Sequence, residues 1–81
     1  MYYWRAAVKH KNEKSYTIVY FATQNIDNAC DVVEFLESYE LQSHNSYLRR
    51  LNKLEFISNI LLAPVATMNT FQNYNRAVLI G

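Results

Sequence analysis

Apolar and polar positions alternate along the first third of the chain, and the period changes near residue 25. Over 2–11 and 15–23, aromatic and β-branched residues recur at every second position, the pattern of half-buried strands. Asn12 and Glu13 lie between the two runs and predict a tight turn, so the runs form an antiparallel β-hairpin. A two-residue loop there sets Val8 opposite Thr17, Ala6 opposite Val19 and Trp4 opposite Phe21. One face then carries Trp4, Ala6, Val8, Thr17, Val19 and Phe21, and is the core face. The other carries Tyr3, Arg5, Ala7, Lys9, Tyr16, Ile18, Tyr20 and Ala22, mixing aromatics with bases. A register slip of one residue on either strand would exchange its faces.

The next segment changes to helical spacing. Ala29, Val32, Val33, Leu36 and Tyr39 recur at threes and fours and predict a helix over 26–39. Asn25 is its expected N-cap, with Asp27 in the first turn. Further on, Leu48, Leu51, Leu54, Ile57 or Ser58, and Leu61 form a second such stripe. It predicts a helix over 46–62, opened by Ser46 and stopped before Pro64. Leu54, Phe56, Ser58, Ile60 and Leu62 also alternate, so further strands within 47–63 are the alternative reading. The tail closes with an apolar, β-branched segment, 76–80, that predicts a C-terminal strand beside the hairpin. The fold class is therefore α+β, a single small domain over 1–81.

Composition narrows the chemistry. The only glycine is Gly81, so the phosphate-cradling loops that need glycine are excluded. One cysteine, Cys30, rules out an internal disulfide. It sits among acids, the reverse of the electropositive setting of reactive thiols, and reads as a small buried or half-buried residue. His10 and His44 lie far apart in sequence, as an exposed strand end and a loop residue, with no metal-ligand spacing. The acids at 27, 31, 34 and 37 have ordinary exposed-helix spacing and do not suggest a catalytic pair. No cofactor and no enzymatic activity are expected. No apolar run nears the ~18 residues of a membrane span, and no leader pattern opens the chain. A cytoplasmic setting without membrane contact is the expectation.

Charge adds a different point. The net charge is +1, yet the charges are segregated. Arg5, Lys9, Lys11 and Lys14 precede an acidic block, Asp27, Asp31, Glu34, Glu37 and Glu40. Arg49, Arg50 and Lys53 then form a second basic cluster. The basic clusters either pair with the acidic helix or present two differently charged faces.

Recognition is the chemistry left. Candidate binding residues are Tyr3, Arg5, Lys9, Tyr16 and Tyr20 on the outer hairpin face, with Arg49, Arg50 and Lys53. Tyrosine and arginine are frequent interface anchors because they join broad contact area to a polar tip. The expected function is a non-catalytic protein-binding module. An inhibitor encoded by a phage or mobile element, occupying a surface of a larger host protein, is one form. The alternative is a small nucleic-acid-binding protein, stacking bases on the tyrosines while Arg5 and Lys9 meet phosphates. An exposed strand edge could also pair two copies into a homodimer.

Overall fold

The computed structural model describes residues 1–80. The first two strands, β1 (Tyr2–His10) and β2 (Thr17–Thr23), form the hairpin in the expected register, with Val8 opposite Thr17 and Trp4 opposite Phe21. The connection is longer than two residues: the chain turns at Lys11–Asn12, where the Glu13 N–H donates to the His10 carbonyl (2.9 Å), and returns to pairing only at Thr17. Gln72 reaches in from the far end of the chain to satisfy the gap. It accepts from the His10 N–H (3.4 Å) and donates to the Ser15 carbonyl (3.1 Å).

Around this hairpin the sheet grows to six strands. On the outer side of β1, β3 (Leu41–Ser43) pairs with its end and β4 (Arg49–Leu51) with its beginning, both antiparallel. A 3₁₀ turn, Asn45–Tyr47, bulges between them. On the other side, β6 (Arg76–Leu79) runs parallel to β2, and β5 (Val65–Ala66) runs parallel to β6. Two helices complete the α+β fold, α1 (Ala29–Glu37) and α2 (Lys53–Ile60).

The core lies on the face chosen by the hairpin alternation. Trp4, Ala6, Val8, Val19 and Phe21 are buried there with Val32 and Leu36 of α1, Leu41, Phe71, Ala77 and Leu79. The Trp4 indole N–H donates to Thr23 Oγ1 (3.0 Å), and the Thr23 hydroxyl donates to the Ile26 carbonyl (2.7 Å). This relay satisfies a buried donor and anchors the segment before α1. It also accounts for a displaced helix start. Ile26 packs against the core ahead of the helix, and the N-cap is Asn28 rather than Asn25, its Oδ1 accepting from the Asp31 N–H (3.0 Å). Asp31 is accordingly the acid of the first turn.

Three other expectations need correction. Cys30 is exposed on the first turn of α1, neither buried nor half-buried. His10 is half-buried and stacks on Phe71, with centroids 5.2 Å apart. The second helix predicted over 46–62 is present but shorter, and the segment also holds a strand that the alternative reading allowed. Its first part becomes β4, because the Tyr3–Arg5 stretch of β1 needs a pairing partner. Its second part becomes α2, capped by Asn52 in a reciprocal capping box with Glu55.

The leucine stripe predicted for this segment is therefore divided. Leu48 packs against the core, Leu51 is buried on the opposite face of the sheet, and Leu54, Ile57 and Leu61 are exposed.

Candidate functional site

The outer face of the hairpin is ordered by strand register. Arg49 of β4, Arg5 of β1, Tyr20 of β2 and Val78 of β6 stand side by side across the sheet. Two arginines in direct opposition repel. Glu55 of α2 relieves Arg49, whose two terminal nitrogens both lie 3.3 Å from its Oε2. Arg5 has no such relief. Its Nε–H is buried without a hydrogen-bond partner among the described residues. Beyond it, Lys9 lies over the Tyr16 ring (5.7 Å), and Arg76 lies over Tyr20 (5.9 Å). His44 meets the edges of Tyr16 and Tyr47.

The predicted site residues thus separate into groups. Arg5, Lys9 and Tyr16 share the open part of the outer face. Tyr3 packs on Phe56 of α2, with ring centroids 4.6 Å apart, and Tyr20 is only 2% exposed, so neither ring is free to stack on a ligand. Arg49 is held by Glu55. Arg50 points to the other face and stacks on Tyr2 at 4.5 Å. Lys53 is exposed at the start of α2. Among the described residues the ion pair is Arg49–Glu55, so the acids of α1 do not pair with either basic cluster.

The other side of α2 is apolar. At 100° per residue, Phe56 and Ile60 point one way, while Leu54, Ile57 and Leu61 form a flanking stripe turned about 110° from them. The first pair faces the sheet and, with Met1, Ala22, Val78 and Ile80, lines a shallow groove of about 320 Å³. The second set has nothing over it. Leu54 is 79% exposed, Ile57 40% and Leu61 78%, and the chain continues through Leu62 (80%) and Pro64 to Val65 (59%). This band covers on the order of 500 Å², the upper end of what a monomeric protein leaves open.

The helical stripe predicted over 46–62 included these residues without indicating that they lie on the surface. A signal was present. The apolar residues from Lys53 to Leu61 span an arc wider than the face one sheet can cover, so a helix laid on that sheet leaves part of the arc exposed.

Among the described residues, no group of three or more His, Cys, Asp or Glu side chains is gathered closely enough to hold an ion. No helix among them is long and apolar enough to cross a membrane. No family model matches the chain, and no curated protein or solved structure shows significant similarity to it.

Proposed function

We propose that the protein is a non-catalytic protein-binding module that acts by occupying a surface of its partner. The observation that carries this reading is the exposed apolar band along α2 and into β5, Leu54, Ile57, Leu61, Leu62 and Val65. Contiguous apolar surface of this size, bordered by charged groups such as Lys53, favours burial against another polypeptide. A module of this kind needs no catalytic group; it works as an inhibitor or adaptor works, through the area it covers.

The test places a photo-reactive residue at Leu62 in the full chain, in the cells that produce it. A covalent product with a polypeptide is expected, and it should vanish when Leu54→Asp is added. Absence of any protein adduct, with the folded protein present at normal level, would sink the reading.

A second reading is favoured by one observation, the three cations Arg5, Lys9 and Arg76 carried on the outer face of the sheet. Those cations suit an anionic chain, and nucleic acid is the alternative partner. The burial of Tyr20 and the packing of Tyr3 weigh against base stacking. If it holds, oligonucleotide affinity falls steeply with salt and drops further in Lys9→Ala. Lack of binding at low salt to both single- and double-stranded oligonucleotides excludes it.

A further inference from the structure

The α2 band has the geometry of a self-complementary seam. Leu54, Ile57 and Leu61 are spaced three and four apart, the a–d–a pattern by which two helices interlock. The midpoint of the set falls between Ile57 and Ser58. When a second α2 is laid antiparallel about that point, Leu54 of each copy meets Leu61 of the other and the two Ile57 side chains meet at the centre. Ser58, exposed and small, flanks that centre and lets the backbones approach.

Charge favours the same arrangement. Lys53 stands at the N-terminal end of α2, where the helix dipole repels a cation, and the last turn of α2 carries no basic residue to offset its negative end. Antiparallel pairing places the Lys53 of one copy beside the C-terminal carbonyls of the other, twice by symmetry. The two lysines then stand about 13 Å apart along the helix axis, beyond the range at which surface charges repel strongly in salt.

The area also fits. An apolar band on the order of 500 Å² per copy, widened by its polar rim, approaches the roughly 800 Å² per partner of a standard specific interface. The contact is isologous, so it closes at two copies instead of propagating.

We infer that the occupant of the α2 band is a second copy of this chain, joined through antiparallel α2–α2 packing about a two-fold axis between Ile57 and Ser58. The inference rests on the protein-binding reading and names its partner. Sedimentation velocity on the purified full chain over a range of concentrations tests it. The wild type should sediment as a reversible dimer. Leu54→Glu and Leu61→Glu, at opposite ends of the seam and both at well-exposed positions, should each weaken the dimer at least tenfold with circular dichroism unchanged. Lys53→Glu should weaken it roughly three- to thirtyfold, because two helix ends are affected at once, while improving the N-terminus of the helix within each chain. A dimer insensitive to all three variants uses another surface and overturns the inference. A wild type that stays monomeric also overturns it. In that case a Leu62 cross-link to a different protein leaves the protein-binding reading standing, and loss of every cross-link removes both.

Discussion

Single residues in this protein solve problems that a glycine-poor chain creates. After α1 the backbone must reverse to enter β3, and Glu40 does so at φ 59°, in the left-handed region. That conformation costs a non-glycine residue about 1–2 kcal/mol. Glu40→Gly removes the steric cost while making the unfolded chain more flexible, so a net gain of about 0.5–1 kcal/mol is expected. For a domain of this size the gain appears in thermal unfolding as a rise of a few degrees. The Trp4–Thr23–Ile26 relay predicts a change in the other direction. Thr23→Val keeps the shape but leaves the indole N–H of Trp4 buried without an acceptor, a loss of about 1–3 kcal/mol. Thr23→Ser retains the oxygen and should lose much less. Urea unfolding of the two variants side by side checks this, and equal losses would mean that packing, not the hydrogen bond, matters at this position.

At the scale of elements, what could be read from the sequence depended on how local the determinants were. The hairpin register was legible because Trp4, Ala6, Val8, Val19 and Phe21 all had to reach one face, and a slip on either strand would have turned its apolar side chains outward. The strand at 76–80 was legible as an apolar, β-branched run, and it pairs beside β2 as Arg76–Leu79. Element boundaries were less so. Asn25 and Asn28 are equally good caps in isolation, and the tie is broken by Thr23 and Ile26, which fix the chain before the helix. The strand β4 was hidden inside a helical stripe because its cause is non-local, an edge of β1 nearly fifty residues away that needs hydrogen bonds. The candidate site suffered from the same limit. Periodicity places Leu54, Ile57 and Leu61 on one helix face, but which face meets the sheet is decided by Tyr3 receiving Phe56. The start of α2 gives a direct check on its cap. Asn52→Ala removes the acceptor for the Glu55 N–H and opens the capping box, at a cost of about 1 kcal/mol. Glu55 would also be freer to leave Arg49, so a lowered urea midpoint should come with faster amide exchange in the first turn of α2. Unchanged exchange there would mean that sheet contacts hold the helix without the cap.

For the whole molecule, the two faces of the sheet are covered unequally. One is sealed by α1, Phe71 and Met68, and the other is only partly covered by the short α2, which lacks a fully buried residue. A helix of eight residues is marginal by itself and draws its stability from packing. Here that packing comes from Phe56 and Ile60 beneath it, and, in the proposed dimer, from a second α2 alongside it. Association would therefore stabilise the element that forms the interface. Because the dimer binds the folded chain and not the unfolded one, mass action raises the apparent stability with concentration. Thermal unfolding of the wild type should shift to higher temperature as the protein is concentrated, whereas the midpoint of Leu61→Glu should stay constant and match the dilute wild type. Hydrogen exchange should follow the same rule, with α2 amides gaining protection on concentration and the hairpin amides, held by their own ladder, changing little. A wild-type midpoint independent of concentration would mean that α2 keeps its fold without a second copy, and that its outer leucines await a different polypeptide.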